Sequence, residues 1–449
     1  MKSVAYFESI FKKRVAGIKP GLSRVQAAYA ALGKPAADIP SILVGGTNGK
    51  GSTAGFLWGM LQRAGIPTGL YSSPHLVHFV ERYQMSHAQA SDEELVAELE
   101  GIQQHLSPEL YESLSFFEIA TLLALRLFAR YQCRFIILEV GLGGRWDATN
   151  IVDPLAAIVV SISRDHEQYL GAELAGIAQE KLAIGRAGRP MFWGCSGELL
   201  SDAQAVNVFS QTVQELQLKL YVRGREFFRL DDTIEIHLPS IRSVRVAMPE
   251  RLKMLPRFLQ DNFLLALGAY HWLAEKGLRP YFNLPSIEHL LAKVSELSLP
   301  RSLSMVARCQ QILIQNGQQQ KPLLFDVCHN PDGVRVLGES LAAIGLKPPA
   351  FVSILADKKI DEMLDQLRKI CGPILLFTID DPRAMRQELL AERHHDLPYF
   401  ESFAKAWQHA LKVWHNQQAP WLVCGSVLAV GQILHVFDIQ PFKAANEQI

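Results

Sequence analysis

A glycine-rich stretch near the amino terminus carries the residue types that bind phosphate. Residues 46–53 read GTNGKGST, and the glycines let successive backbone N–H groups turn toward an anion. Lys50 can neutralise the β- and γ-phosphates of a nucleotide, and the hydroxyl of Ser52 or Thr53 can reach Mg²⁺. The stretch therefore predicts phosphoryl chemistry on a nucleoside triphosphate.

The flanking residues predict that this stretch is a loop between a strand and a helix. Residues 41–44 form a short apolar run, and apolar residues after Ser52 recur at the spacing of one helix face. The helix would add its positive amino-terminal end to the site. The loop departs from the usual GxxxxGK[ST] pattern, since Val44 replaces the first glycine and Gly51 separates the lysine from the serine. The predicted nucleotide-binding residues are Asn48, Gly49, Lys50, Gly51, Ser52 and Thr53.

Further motifs follow in order along nearly the whole chain. They read YSSPHL at 71–76, EVGLGGRWDATN at 139–150, RDH at 164–166, EKLAI at 180–184 and DVCHNP at 326–331. With the loop, these motifs resemble the Mur ligase superfamily, and more narrowly its folylpolyglutamate synthase and dihydrofolate synthase family, of the bifunctional bacterial type. The resemblance implies an α/β fold: a P-loop ATPase-like central domain, then a Rossmann-like carboxyl-terminal domain.

The resemblance also implies a magnesium site, for which we expect two ions. Ser73, Glu139 and His166 match the metal ligands of the family, and Ser52 of the loop joins them. Glu139 follows a buried apolar run, so its carboxylate would lie at the carboxyl end of a strand beside the phosphate loop. Lys181 matches a lysine that reacts with CO₂ to give N6-carboxylysine.

Residues in the second half match ATP-contacting positions of the family. Asn262 and Asp326 correspond to residues that contact ATP, and His329 matches a histidine near the phosphates or the incoming glutamate. Arg301 stands where the family has an ATP-binding arginine, although the glycine of that PGR motif is absent here. We predict Lys50, Lys181 and His329 as the catalytic residues.

Three segments resemble those that contact dihydropteroate in bifunctional relatives. Phe116 and Phe117 are aromatic and suited to stacking on a flat pterin ring, although a helix face in the core would also use them. The predicted substrate-binding residues are Lys19, Pro20, Gly21, Ser115, Phe116, Phe117, Glu118, Trp146, Asp147 and Ala148.

Apolar runs that alternate with helix-period segments predict parallel α/β sheets. Two helices are expected within residues 1–39, an antiparallel excursion within 205–250 that includes 218–222 and 233–238, and a helix over 255–273. A proline-interrupted segment places the domain boundary between residues 298 and 299, with the ATP- and pterin-binding domain at 1–298 and the glutamate ligase domain at 299–449. In the second domain, strands are predicted at 310–315, 322–327, 350–355, 373–379 and 420–424.

Composition excludes several classes of protein. The 449 residues carry 45 Lys+Arg and 45 Asp+Glu, so the formal net charge is zero, without the basic excess of a nucleic-acid-binding protein. No apolar run reaches the ~18 residues of a membrane-spanning helix. The six cysteines are scattered, which is typical of a reducing compartment. We expect a cytoplasmic monomer.

The lead hypothesis is an ATP-dependent ligase that adds L-glutamate to dihydropteroate and to reduced folates through an acyl phosphate. Folylpolyglutamate synthase activity alone, or another Mur-type ligase such as a peptidoglycan-precursor ligase, are the alternatives within the superfamily. A P-loop ATPase with a binding or mechanical role gives no use to Ser73, Glu139, His166 and Lys181. A nicotinamide dehydrogenase is disfavoured because no GxGxxG motif follows the first predicted strand of this chain.

Overall fold

The computed structural model describes residues 20–292, 306–316, 319–390, 394–414 and 419–439. These residues divide into two compact units, the first over 20–255 and 259–292 and the second over 306–439, with Pro256–Phe258 grouped with the second. The predicted boundary between residues 298 and 299, and the first of the two helices expected within 1–39, lie outside the described residues.

The first unit is built on a seven-stranded sheet in the order β3-β2-β4-β1-β5-β6-β7. All neighbouring strands are parallel except the edge pair of β2 and β3. The four central strands are buried on both faces, which explains their continuous apolar sequences. The strands are β1 Ser41–Gly45, β2 Thr68–Tyr71, β3 Tyr83–Met85, β4 Phe135–Glu139, β5 Ala156–Val159, β6 Pro190–Trp193 and β7 Lys219–Val222.

Helices fill the connections of the first unit, as the helix-period segments predict. They are α1 Ser23–Ala31, α2 Lys50–Arg63, α3 Asp92–His105, α4 Pro108–Ser113, α5 Phe116–Arg130, α6 Glu167–Leu170, α7 Leu174–Leu182, α8 Ala203–Glu215, α9 Glu250–Lys253, α10 Arg257–Trp272 and α11 Ile287–Ala292. Short 3₁₀ turns cover Phe79–Arg82, Ala148–Ile151 and Glu198–Ser201, and a π-helical turn, Leu273–Gly277, extends α10.

The antiparallel excursion exists but is shorter than predicted. A three-stranded antiparallel sheet comprises β8 Phe227–Leu230, β9 Thr233–Ile236 and β10 Val244–Ala247. The prediction for 218–222 was wrong, because β7 pairs in parallel with β6 and the preceding residues form α8. An edge strand is only partly covered, so its alternating pattern resembles that of an antiparallel strand.

The second unit contains a six-stranded sheet in the order β11-β12-β16-β13-β14-β15, with only β11 antiparallel to its neighbour. The five predicted strands are present, and the two-residue β15 was not predicted. The elements are β11 Gln310–Asn316, β12 Gln319–Phe325, α12 Pro331–Ala343, β13 Ala350–Val352, α13 Ile360–Ile370, β14 Ile374–Phe377, a 3₁₀ turn Gln387–Leu390, β15 Tyr399–Phe400, α14 Phe403–Val413, β16 Trp421–Cys424 and α15 Val427–Val436.

Both units are thus α/β, as the sequence predicts. No described helix has the length and apolar character needed to cross a membrane.

Candidate active site

The predicted site residues of the first unit lie at one edge of its sheet. The parallel strands β2, β4, β1 and β5 are consecutive neighbours, with Tyr71 beside Leu138 and Val44 beside Glu139. Their carboxyl ends therefore meet at the same edge, which is where open α/β sheets bind ligands. The YSSPHL segment, Glu139, the phosphate loop and the RDH segment follow these four strands in that spatial order.

The phosphate loop has the strand–loop–helix form that the sequence predicts. The Lys50 ammonium donates hydrogen bonds to the carbonyl oxygens of Gly46 (3.0 Å) and Thr47 (3.1 Å). These bonds hold the lysine over its own loop at the amino end of α2. Gly51 is buried in the first turn of the helix.

The loop is anchored to the chain that follows β5. The Thr47 amide donates to the Ser161 carbonyl at 2.9 Å, and the Thr47 hydroxyl donates to the Ser163 carbonyl at 3.0 Å. The Asn48 amide donates to the Ser161 hydroxyl at 2.9 Å. Sequence reasoning missed both serines, and the signal was their position directly after an apolar strand.

Gly49 brings a third element to the loop. It caps α2 with a φ of +83°, a left-handed conformation that favours glycine. A Cβ at this position would lie 2.9 Å from the Asn262 side-chain nitrogen and 2.9 Å from Val160 Cγ1. Asn262 is buried on α10, so the structure places this predicted ATP-contacting residue against the phosphate loop.

Ser52 and Thr53 present hydroxyl groups with unused hydrogen-bonding capacity. Both side chains are buried, and neither oxygen has a hydrogen-bond partner among the described residues. A buried hydroxyl without a partner carries a desolvation cost that a ligand can remove. Hard oxygen donors beside a phosphate loop fit Mg²⁺ together with nucleotide phosphates.

Glu139 and Ser73 are brought together from two strands. The buried Glu139 carboxylate accepts a hydrogen bond from the Ser73 amide at 3.1 Å. His166 immediately precedes α6 in a left-handed conformation with its side chain 37% exposed, and its amide donates to the Asp165 carboxylate. Among the described residues, no three His, Cys, Asp or Glu side chains form a metal-binding group. The oxygen donors Ser52, Ser73 and Glu139 nevertheless suit a hard cation.

Lys181 is buried near the end of α7, with 4% of its surface exposed. Burial, and secondarily the charge of Lys50, lowers its pKa to about 7, although Asp165 and Asp147 act in the opposite direction. A Cβ on Gly144 would lie 3.2 Å from the Lys181 Cα, so the 139–150 segment packs directly on this helix. The structure therefore supplies a buried amine with a substantial unprotonated fraction at neutral pH, unlike an ordinary lysine.

Asp147 organises the 139–150 segment. Its carboxylate accepts hydrogen bonds from the backbone amides of Gly141 (2.9 Å), Leu142 (3.0 Å) and Thr149 (3.0 Å). Burial raises the pKa of this carboxyl group, and the hydrogen bonds oppose that shift. The observed contacts of Asp147 shape the loop that presents its neighbour Trp146.

The predicted pterin-binding segments are held together by capping and an ion pair. Ser115 caps α5 by accepting from the Glu118 amide at 3.2 Å, and Glu118 accepts from the Ser115 amide in return. Arg24 of α1 reaches the same Glu118 at 3.3 Å and also donates to the Gly21 carbonyl. Packing of α1 against α4, α5 and Ala148–Ile151 joins all three segments.

Aromatic side chains of these segments differ in exposure. Trp146 is 53% exposed, whereas Phe116 and Phe117 are half-buried. Phe117 packs on Gly141, where a Cβ would meet its ring at 2.5 Å, and lies 5.8 Å from the Tyr71 ring. The remaining predicted residues of this region are the exposed Pro20, the half-buried Gly21 and the buried Ala148.

The predicted residues of the second unit follow β12. The buried Asp326 carboxylate accepts from the amides of Cys309 (2.9 Å) and Cys328 (2.8 Å). Burial raises its pKa, and the charge of Arg308 opposes this. His329 is half-buried, with Nδ1 3.1 Å from the Val327 carbonyl oxygen. Lys19 and Arg301 lie outside the described residues.

Comparison with known proteins identifies the family. Over 439 residues the chain is 31% identical to the dihydrofolate synthase/folylpolyglutamate synthase of Escherichia coli K12, with 97% of this chain and 94% of the relative covered. The chain belongs to the dihydrofolate synthase/folylpolyglutamate synthase family. No protein-family model matches it.

Two solved structures extend this comparison with the synthase family. Escherichia coli FolC in complex with DHPP and ADP matches with a TM-score of 0.77 and 29% identity over 97% of both chains. A bifunctional folylpolyglutamate synthase/dihydrofolate synthase with Mn, AMPPNP and L-glutamate bound gives the same TM-score, identity and coverage. The predicted family and the two-domain Mur ligase fold class are confirmed. The roles of individual site residues stay predictions.

Proposed function

We propose that this protein is an ATP-dependent ligase that joins L-glutamate to dihydropteroate and to reduced folates. The observation that carries the proposal is the sheet edge that places a phosphate loop beside the Glu139–Ser73 pair, in a member of this synthase family. Relatives of this chain have been solved with ADP and DHPP, and with AMPPNP, Mn and L-glutamate. A P-loop ATPase with a binding or mechanical role, or a nicotinamide dehydrogenase, would give no role to the Glu139–Ser73 pair.

The proposed reaction proceeds in two steps. A carboxylate oxygen of the acyl substrate attacks the γ-phosphorus of ATP, ADP departs, and an acyl phosphate forms. The glutamate amine then attacks the acyl carbon, phosphate departs, and the amine nitrogen loses a proton. Positioning and stabilisation of negative charge supply most of the catalysis in such a transfer.

In this proposal the phosphate loop residues 48–53 bind the nucleotide, with Lys50 released from its loop carbonyls onto the phosphates. Asn262, Asp326 and Arg301 are proposed ATP contacts, and His329 acts near the phosphates or the incoming glutamate. The divalent metal, which we expect to be two magnesium ions, would be held by Ser52, Ser73, Glu139 and His166. The metal supplies positive charge to the transferring phosphoryl group when it is bound.

Lys181 is proposed to be carbamylated. An unprotonated amine adds to the carbon of CO₂ and loses a proton, which gives an anionic carbamate. Burial and the neighbouring Lys50 favour the neutral amine, as the lowered pKa indicates. The carbamate would then neutralise the adjoining cations and support the metal-binding side chains.

The pterin end of the substrate is assigned to the segments joined by Arg24 and Glu118. Trp146, Phe116 and Phe117 offer aromatic surface for a flat ring. The free cysteines fit a reducing compartment, so we propose the cytoplasm, with the protein acting as a monomer.

One assay tests the proposal. ADP release is measured with purified protein, ATP and Mg²⁺, with and without L-glutamate, and with dihydropteroate or tetrahydrofolate as the acceptor. The proposal expects ADP only when an acceptor and glutamate are both present, and turnover of both acceptors. ADP release that ignores glutamate would leave a P-loop ATPase as the better assignment, and turnover of tetrahydrofolate alone would restrict the enzyme to folylpolyglutamate synthesis.

A further inference from the structure

Arg82 is a buried cation that lies between the aromatic segment at Phe116 and the predicted metal segment at Ser73, both in the first unit. It ends the 3₁₀ turn Phe79–Arg82, and only 7% of its surface is exposed. Its guanidinium carbon lies 5.7 Å from the centre of the Phe79 ring and 5.5 Å from that of Phe116. Its carbonyl accepts a hydrogen bond from the Ser72 amide at 3.0 Å, next to Ser73. Arg82 thus adjoins both the aromatic segment and the predicted metal segment.

Neighbouring groups leave this guanidinium without an opposite charge. Its Nε donates to Nδ1 of His75 at 2.9 Å, and the Tyr71 hydroxyl is a further polar neighbour. Neither partner brings a negative charge at neutral pH, because an imidazole is neutral or cationic and a tyrosine hydroxyl ordinarily has a pKa of about 10. No carboxylate forms an ion pair with Arg82 among the described residues.

Four acids adjoin Arg82 in the chain or through its contacts, and each has other partners. The charge of Asp147 acts on Tyr71, and its carboxylate accepts hydrogen bonds from three backbone amides. Glu81 accepts hydrogen bonds from three successive amides, those of residues 76–78. Glu118, two residues after Phe116, is paired with Arg24. Glu139 accepts from the Ser73 amide. Rearranging these acids to reach Arg82 would break contacts that hold the site together.

A buried cation without a counter-anion is costly for the folded chain. Burial removes most of the hydration of the guanidinium, and cation–π contacts with two rings replace only part of it. Arginine retains its charge inside proteins and offers a planar set of donors that matches a carboxylate. A ligand anion would therefore gain more here than at a solvated surface arginine.

We propose that Arg82 binds the reacting carboxylate of the acyl substrate, an aromatic acid whose flat ring system lies toward Phe116. This inference rests on the proposed function, and it adds a substrate-recognition residue. The location favours this ligand because an aromatic acid has its ring at one end and its carboxylate at the other. His75 is a positioning residue, since its Nδ1 fixes the guanidinium through Nε.

The test measures the equilibrium binding of two matched ligands without ATP. One ligand is 7,8-dihydropteroate, and the other is the same dihydropterin with an anilinomethyl group that lacks the carboxylate. The wild type is expected to prefer the acid by roughly 10-fold or more, the range for a hydrogen-bonded charge. Arg82→Met should reduce the preference to about that of a neutral site, and Arg82→Lys should retain part of it.

Arg134→Met is the matched control, because Arg134 lies 4.3 Å over the Phe282 ring and is exposed. It should leave the carboxylate preference unchanged. Thermal unfolding separates a structural role from a binding role: removing an unpaired buried charge should leave the Tm of Arg82→Met unchanged or higher. If the Arg82→Met variant fails to fold, the test uses Arg82→Lys. A carboxylate preference in Arg82→Lys equal to that of the wild type would then overturn the proposal.

The inference is overturned if the folded Arg82→Met variant keeps the preference of the wild type, or if the wild type has none. Glutamate ligation by the wild type, measured in parallel, separates this outcome from a failure of the proposed function. If the wild type ligates glutamate but Arg82→Met keeps the carboxylate preference, the inference alone is refuted. A preference that Arg82→Met abolishes, in a protein that does not ligate glutamate, refutes the ligase assignment alone.

Discussion

At the scale of single residues, burial changes the chemistry of side chains that look ordinary in the sequence. Lys181 is one lysine among many in the chain, yet burial and the charge of Lys50 lower its pKa to about 7. A lysine on an exposed helix face stays protonated at neutral pH and cannot react with CO₂. The chemical identity of the amine therefore depends on its surroundings.

The titration of Lys181 predicts a pH dependence of folding stability. Between pH 7 and the ordinary lysine value of 10.5, the unfolded chain binds a proton that the folded chain lacks. The contribution of Lys181 to stability therefore rises with pH across this window, by on the order of 1 kcal/mol per pH unit. The free energy of urea unfolding, measured in CO₂-free buffer, should rise more steeply with pH for the wild type than for Lys181→Met.

Lys276→Met is the control for this measurement, because Lys276 is exposed. Its stability should follow the wild-type pH dependence. Parallel curves for the wild type and Lys181→Met would show that the buried amine titrates normally.

At the scale of elements, the site depends on how individual helices begin. α2 starts immediately after the left-handed Gly49, whose backbone lies against Asn262 and Val160. α5 starts with the Ser115–Glu118 capping box, which also positions Glu118 for Arg24. Each helix start thus combines a local conformational requirement with a contact to another element.

Gly49→Ala is predicted to reduce both stability and nucleotide affinity. The new Cβ would meet Asn262 and Val160 at 2.9 Å, in addition to the strain of a positive φ, which costs about 1–2 kcal/mol. Gly65→Ala is the matched control, because Gly65 has a similar φ of +76° and a Cβ added there would have nothing within 4 Å. Urea unfolding and binding of an ATP analogue should show a larger loss for Gly49→Ala in both measurements.

Equal losses of stability in the two glycine variants would contradict the close packing at Gly49. Unchanged affinity for the ATP analogue in a folded Gly49→Ala variant would contradict the role of this loop in nucleotide binding.

Ser115→Ala is predicted to separate capping from substrate binding. Loss of an N-cap costs about 1 kcal/mol. Ser107→Ala removes the comparable cap of α4, whose hydroxyl accepts from the Leu110 amide at 3.2 Å. Both variants should lose similar stability in urea unfolding, but only Ser115→Ala should weaken dihydropteroate binding, because Ser115 lies in the proposed pterin site. Equal binding by the two variants would leave Ser115 with a capping role alone.

At the scale of the whole molecule, a chain of zero net charge is proposed to bind several anionic substrates. The positive charge must then be local. Lys50, the amino end of α2 and the buried Arg82 supply part of it within the first unit. The oxygen donors of Ser52, Ser73 and Glu139, which we propose as metal ligands, suit an imported cation that would supply the rest.

Metal removal is therefore predicted to stop ADP formation. Chelation by EDTA should abolish glutamate-dependent turnover, and added Mg²⁺ or Mn²⁺ should restore it. Glu139→Gln should cut turnover by roughly 100-fold or more, because a neutral amide binds less tightly than a carboxylate does to the metal that is proposed to stabilise the transition-state charge. Glu100→Gln, on the exposed face of α3, is the control and should behave as the wild type. Activity that persists in EDTA would contradict a metal-dependent transfer.

Sequence alone determined the features that are encoded locally. The phosphate loop, the buried strands and the periodic helices follow from glycine placement and apolar spacing over a few residues. The family resemblance pointed to Ser73, Glu139 and Lys181 because motif order survives at 31% identity. The alternating residues of β7 misled the prediction, since an edge strand of a parallel sheet has one partly exposed side.

Only the tertiary structure decided which distant residues meet and what state they adopt. Ser161 anchors Asn48 across 113 positions of sequence, and Asn262 reaches Gly49 from α10. The lowered pKa of Lys181 and the unpaired charge of Arg82 arise from burial among residues far along the chain. Solvent exclusion and long-range contacts are properties of the packed chain, and no local pattern of residues specifies them.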